Sequence, residues 1–372
     1  MLAFLLPFAL YLATLAPTIY NLDSAELTTA AATGGLTRAT GYPLYLLLGN
    51  LWAKLPIADV GYRMNLLSAV SGALTMLFAD RILRRFQIGP VATLGALGLL
   101  ACAPYFWALS LIAEVYTLHT ALMAAILLLL LRWAAYPSAG RLAGLALLGG
   151  LSMGHHLATA LLVPGCLIYV LTTHPRQFLN PRNLLLACGA GILGLSIYLY
   201  LPLRAAFAPA FNYLGMYNSA GQFIAIDLSD PRNLWWLMRG GQFTGQMLGY
   251  TVQDLVTETR NFGVQLAQSF FVLGLAPGLL GLASLFRRNW QFALALSAMF
   301  LLNAGFYIAY RVIDKNTMFL PAYVIWAIWL AAGYQQILTW AGDGTGAVIG
   351  RAFCTAQSVL WCWRHAFGTC RW

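Results

Sequence analysis

The stretch ALMAAILLLLLRWAAYPSAGRLAGLALLGGLSMGHHLATALLVPGCLIYVL, residues Ala121–Leu171, decides the class of this protein. It holds three apolar runs. Arg132 and Arg141 fill the gap after the first, and the second and third meet at Gly154-His155-His156. An apolar run of about 20 residues, as a helix, is long enough to cross the hydrocarbon core of a bilayer. The same pattern continues outward in both directions. Runs occur at Met1–Pro17, Met64–Leu83, Val91–Leu109, Glu114–Trp133, Leu142–Met153, Leu157–Leu171, Leu184–Leu203, Val264–Phe286, Phe292–Tyr310 and Met318–Tyr334. They predict an all-α integral membrane protein of about ten transmembrane helices. Composition agrees, with 60% hydrophobic and 9% charged residues over 372, against about 25% charged in a soluble domain. Only a lipid bilayer accepts that much apolar surface.

Charge then orients the chain. Arg81, Arg84 and Arg85, then Arg132 and Arg141, then His174, Arg176 and Arg182, then Arg287 and Arg288 all fall in loops on one side if each run crosses once. That side is expected to be cytoplasmic. The net charge of +10 is therefore a topology signal, and no nucleic-acid partner is expected. The opposite, external side receives the first loop (18–63), the turn before Glu114, the Gly154-His155-His156 junction, the long loop 204–263, and Arg311 to Asn316. Within the first loop, Tyr42–Ile57 reads as an interfacial piece with Trp52 and Lys54 at headgroup level. In the long loop, Trp235-Trp236 reads as part of a short helix on the membrane surface. Met1–Pro17 lacks a basic leader and reads as a signal anchor that stays. Cys102, Cys166 and Cys188 lie in apolar runs and read as free buried thiols. Cys354, Cys362 and Cys370 recur in the tail without the spacing of a zinc site.

Few residues can carry chemistry, and most of them fall on the external side. Asp23 and Glu26 have the spacing of a capping box, with Leu27–Thr33 as the helix and Gly34-Gly35 as its stop. Equally, Asp23 is placed to act as a general base toward a hydroxyl. The two roles are compatible, because a cap holds the carboxylate rigid. Glu114 suits a helix N-terminus. His119, five residues on, lies about 140° around the helix and is a poor partner for it. His155 and His156 are ionisable groups at membrane depth, where such groups are expensive and usually functional. Neighbouring helical residues point apart, so one of the two is expected to face a cavity. Arg204 and Arg311 either snorkel or hold an anion such as phosphate. Asp314 can pair with Arg311 or Lys315. Two acids close together leave a divalent metal possible. An enzyme acting on a lipid-linked phosphate donor fits these features; so does a transporter or flippase, although no internal repeat supports the latter.

The motifs, taken in order, narrow this. Asp23-Ser24-Ala25-Glu26, Thr40-Gly41-Tyr42-Pro43-Leu44-Tyr45, Arg63-Met64-Asn65-Leu66-Leu67-Ser68-Ala69, Ala113-Glu114-Val115-Tyr116-Thr117-Leu118-His119, Gly154-His155-His156, Tyr198–Arg204 with Pro209–Tyr213, Gly240-Gly241-Gln242-Phe243 and Asp314–Tyr323 together resemble the membrane O-mannosyltransferase-like proteins, over about Leu5 to Gly333. The resemblance implies a GT-C type glycosyltransferase fold over residues 1–334. It implies a polyprenyl-phosphate-linked sugar donor, inverting transfer to a protein or glycan acceptor, and a multi-pass location in a bacterial inner membrane with the active site outward. Asp23 matches the acid that such enzymes carry in the first external loop, with Glu26 beside it. His155, His156, Arg204, Arg311 and Lys315 are candidates for the donor. Tyr42, Asn65, Glu114, Tyr116, His119, Gln242 and Asp314 are further candidates. Two departures stand out. Where the family usually has His-Pro before Thr-Gly-Tyr-Pro, this chain has Arg38-Ala39, and from about Gln335 the tail (335–372) follows no family pattern and reads as short or altered.

Overall fold

Prolines and polar caps decide where the helices begin. A computed structural model describes residues 1–21, 23–38 and 40–342. Pro43, Pro90, Pro104, Pro181 and Pro231 each open a helix, at positions where a missing N–H costs nothing. Asp59, Ser138 and Asn180 accept from the free amides of Tyr62, Arg141 and Arg182, replacing the partners that a first turn lacks. The helices are α1 (Leu2–Thr14), α2 (Asp23–Thr33), α3 (Pro43–Trp52), α4 (Val60–Arg85), α5 (Pro90–Ala101), α6 (Pro104–Ser110), α7 (Tyr116–Ala135), α8 (Ala139–Met153), α9 (Val163–Thr173), α10 (Pro175–Phe178), α11 (Pro181–Leu195), α12 (Tyr200–Ala206), α13 (Pro231–Met238), α14 (Val252–Ser269), α15 (Leu275–Arg288), α16 (Trp290–Ile308) and α17 (Leu320–Gly342). A small antiparallel hairpin, β1 (Gly215–Tyr217) with β2 (Phe223–Ala225), sets Met216 opposite Ile224.

The polytopic helical bundle is as expected, and the count of ten is not confirmed. Among the described residues five helices are long and apolar enough to cross a membrane, six if one bent pair is a single span. Three more, Leu2–Thr14, Ala139–Met153 and Leu157–Thr173, are apolar but shorter. The run expected at Val91–Leu109 bends by 72° between α5 and α6. Pro104 offers no N–H to continue the ladder there. The run expected at Val264–Phe286 is two helices. Phe271 and Val272 between them have φ of 54° and 59°, a left-handed step that no helix carries through. The long loop expected at 204–263 is also not a loop to its end, because α14 begins at Val252. The piece Tyr42–Ile57 holds α3, whose Tyr45 and Leu46 are fully buried, packed among α2 and α4, while Lys54 is exposed. Cys188 is exposed rather than buried. Within the stretch 335–372, α17 runs on to Gly342. Cys354, Trp361, Cys362, Trp363, Arg364, Cys370 and Trp372 lie outside the described residues.

The core centres on α17, whose residues 320–333 are all buried. The span Pro181–Ala206 is at the other extreme, with only 22% of its apolar window buried. It forms the rim, turning Leu185, Ile192 and Leu193 outward. Glycines let α15 and α17 touch backbone to backbone. A Cβ on Gly281 would lie 1.7 Å from the Trp329 carbonyl oxygen, and one on Gly333 would lie 1.8 Å from that of Pro277. Small residues are what bring helices close in lipid, where apolar burial gives no drive. Gly281→Val should therefore force the pair apart and cost about 1–3 kcal/mol, the usual range for overpacking. A lowered thermal midpoint of the detergent-purified protein is the readout.

One end of the bundle is organised around the segment 18–63. Leu36, Tyr198, Leu201, Leu214, Leu228 and Leu237 form a separate small core. Leu36 bonds to the backbone on both sides, its N–H to Phe211 O at 2.9 Å and its carbonyl from Tyr213 N at 2.8 Å. The segment after α2 is thereby stitched to the segment after α12.

Candidate active site

Asp23 and Glu26 stand in the first turn of α2. The expected capping box does not form between them. Instead both carboxylates meet Arg38. Its N–H and Nε each donate to Glu26 at 2.8 Å, and Nη2 donates to Asp23. The helix does stop at Gly34, where φ is +64°. Arg204 closes that stop: its Nε donates to the Gly34 carbonyl and its Nη2 to that of Thr33 at 3.3 Å. The guanidinium thus serves the acceptor end of α2 and its dipole, and Arg204 is engaged in structure rather than facing an open site.

Glu114 lies in the short link 111–115 between α6 and the spanning helix α7. Three side chains from two other segments, α4 and the turn after α8, pin this link. Asn65 Oδ1 accepts from Ala113 N at 2.8 Å, Ser68 Oγ accepts from Glu114 N at 3.2 Å, and His155 Nε2 meets Val115 O at 2.8 Å. Asn65 also donates to Ala16 O and Thr18 O, both at 2.9 Å. It is a buried staple between α1, α4 and the link, and all its bonding capacity is used internally. The Glu114 carboxyl is only 4% exposed and lies within electrostatic reach of Asp23 and Asp314. Burial pushes it up to about 8, with both neighbouring acids adding to the effect. Asp23 and Glu26 are also raised by burial, against the Arg38 guanidinium, which lowers both.

Beneath the acids lies a wall of rings. His156 sits between Tyr42 and Tyr116, with centroids 6.1 and 5.9 Å away, and stacks on His119 at 4.8 Å. His155 faces the other way, fully buried against Tyr45 at 6.0 Å. Of the two histidines, His156 is therefore the one that is not fully buried, lying among Tyr42, Tyr116 and His119. Its Nδ1 accepts from Ala158 N at 3.2 Å, which leaves Nε2 to carry the proton. His119 is where the helical angle placed it, with the histidines and not with Glu114. The turn Gly241–Phe243, which carries Gln242, comes over this region. A Cβ at Gly240 would meet Thr40 at 3.8 Å and Leu157 at 3.9 Å, and Gly241 packs on the Trp236 ring. Trp235 points outward and is 63% exposed.

The loop Arg311–Asn316 separates this cluster from a polar cleft of about 830 Å³ lined by Glu258, Arg260, Gln265, Arg311 and Lys315. Asp314 pairs with neither expected cation. It lies toward Asp23 and Glu114, while Lys315 bonds to Glu258 at 2.6 Å and to the Tyr250 hydroxyl at 3.0 Å. Arg260 and Arg311 make no salt bridge among the described residues. No group of three His, Cys, Asp or Glu converges as a metal cage among them, and the Arg38 guanidinium holds the place between the two acids of α2. Sequence reasoning missed Arg38, Tyr250, Glu258 and Arg260. For Arg38 a signal existed, since it is the position that breaks the motif.

The comparisons with known proteins follow the same motifs. Residues 23–178 match the family model described as the protein O-mannosyl-transferase TMEM260 N-terminal domain. The mouse (Mus musculus) protein O-mannosyl-transferase TMEM260 is 28% identical over 211 residues, covering 54% of this chain and 30% of that protein. The chain therefore spans about a third of the length of this relative. The crystal structure of ArnT from Cupriavidus metallidurans bound to undecaprenyl phosphate superposes with a TM-score of 0.60 at 15% identity, covering 96% of this chain and 64% of that one. At that identity the match speaks for the fold alone. Residues 23–178 are thus similar to the N-terminal domain of a protein O-mannosyl-transferase, and the chain as a whole shares the polytopic helical fold of ArnT.

Proposed function

We propose that this protein is an inverting glycosyltransferase that moves a sugar, mannose or another hexose, from a polyprenyl-phosphate carrier to a hydroxyl of a protein or glycan acceptor. We place the reaction on the external face of the membrane, in a bacterial member the outer side of the inner membrane. The observation that carries this reading is that Glu26, Glu114 and Asp314 each lie within electrostatic reach of Asp23, beside the Tyr42–His156–Tyr116 rings. Asp23 takes the proton of the acceptor hydroxyl as its oxygen attacks the anomeric carbon. The bond from that carbon to the carrier phosphate breaks on the opposite face, and its electron pair leaves with the phosphate. Glu114, protonated at neutral pH, donates a hydrogen bond to the sugar, and His156 offers its Nε2–H from the ring wall. Arg260 and Arg311 draw the anionic carrier to the mouth. The turn of Gln242, backed by Trp236, limits water, which would otherwise hydrolyse the donor. Arg38 brings to the two acids of α2 the positive charge that a divalent ion would bring.

The test is purified protein in vesicles with radiolabelled polyprenyl-phosphate sugars, followed for transfer to acceptor and for flux across the bilayer. Label in acceptor without flux is the expected result. Flux without transfer would replace this reading with a transporter.

A further inference from the structure

Asp23 and Glu26 hold Arg38 in unequal ways. Glu26 takes two inner points, the backbone N–H and Nε, and its side chain is 11% exposed. Asp23 takes only the outer Nη2, and its side chain is 39% exposed. Nη1 has no partner among the described residues, and the Arg38 side chain is 47% exposed. The backbone on either side is fixed. Leu36 is stitched to Phe211 and Tyr213, and Gly41 N returns to Arg38 O at 2.8 Å. Only the tip of this side chain is free to change partners.

A guanidinium anchored at Nε and open at Nη1 and Nη2 presents a fork to an arriving anion. Among the described residues the protein group competing for that fork is Asp23, the carboxylate that must be free to accept a proton. We propose that Arg38 is an exchange clamp, paired with Asp23 in the empty site and with the carrier phosphate in the loaded one, Glu26 being its fixed anchor. The pairing keeps Asp23 from acting on water before the donor arrives. Donor binding then frees the base and places a cation where charge grows on the leaving phosphate. This rests on the reading of Asp23 as the base.

Binding without turnover tests it, with undecaprenyl phosphate, lacking any sugar, as the probe. The wild type and the Arg38→Ala, Arg38→Lys and Asp23→Asn proteins in nanodiscs are titrated by tryptophan fluorescence. Arg38→Ala should bind at least about 10-fold more weakly, since a charge-assisted contact to phosphate is lost. Arg38→Lys, which keeps the charge without the fork, should fall between. Asp23→Asn should bind about 5- to 10-fold more tightly, because the competing anion has gone. A static salt bridge predicts no such gain. Unchanged binding by Arg38→Ala, or unchanged or weaker binding by Asp23→Asn, overturns the clamp. Should Arg38→Ala fail to fold, Asp23→Asn and Arg38→Lys decide. A wild type that transfers sugar while its Arg38 variants bind normally refutes the clamp and leaves the glycosyltransferase standing. A wild type that neither binds the probe nor transfers sugar refutes both.

Discussion

Asp23→Asn should cut sugar transfer about 10³-fold, within the range that a positioned general base contributes, and leave the fold intact. The amide keeps the size of the carboxylate but cannot take a proton from the attacking hydroxyl. Its structural cost is small. The Asp23 side chain is 39% exposed and its partner among the described residues is Arg38, an ion pair of the kind worth about 1 kcal/mol or less. Glu26→Gln provides the contrast. Glu26 is the more buried carboxylate and anchors both the backbone and Nε of Arg38, so its loss should loosen Arg38 and raise the donor KM, with a smaller fall in kcat. Rates with one defined donor and acceptor, beside melting curves for both variants, separate the two roles. Full activity in Asp23→Asn would remove this residue from the chemistry.

The two variants also mark how far the sequence could be read. Helices along α4, α7, α16 and α17 were legible because apolar length is a property of one segment. The break at Phe271 and Val272 was not, because neither is a turn residue and only tertiary packing holds them left-handed. The acids of α2 were legible as candidates, and so were Glu114 and the histidine pair. Their partners were not. An arginine at a loop end serves a helix terminus or a phosphate equally well on paper. Arg204 turned out to close α2 from the far side of the chain, while Arg38 turned out to face the acids. The choice between His155 and His156 likewise needed the carbonyl of Val115, contributed by a different helix junction.

Glu114→Gln should abolish a large part of the fall in stability of this protein between about pH 5 and 8. The carboxyl is pushed up to about 8 by burial, with Asp23 and Asp314 adding to it, from an ordinary value of 4.5. Below pH 4.5 it is protonated in both folded and unfolded chains and contributes no pH dependence. Between that value and about 8 the folded state binds the extra proton, so stability falls as pH rises. At roughly 1.4 kcal/mol per pH unit, the loss reaches a few kcal/mol above pH 8. Only 4% of the residue is exposed, so solvent screens little of this. Glutamine matches the neutral acid in shape and never ionises. Its melting temperature should therefore equal that of the wild type near pH 5 and exceed it by several degrees at pH 9; parallel curves from pH 5 to 9 would show that Glu114 keeps its charge in the fold. Transfer should follow the same titration if the protonated acid binds the sugar. The wild-type rate should fall as pH rises through about 8, and the glutamine variant, which still has an N–H to donate, should lack that limb.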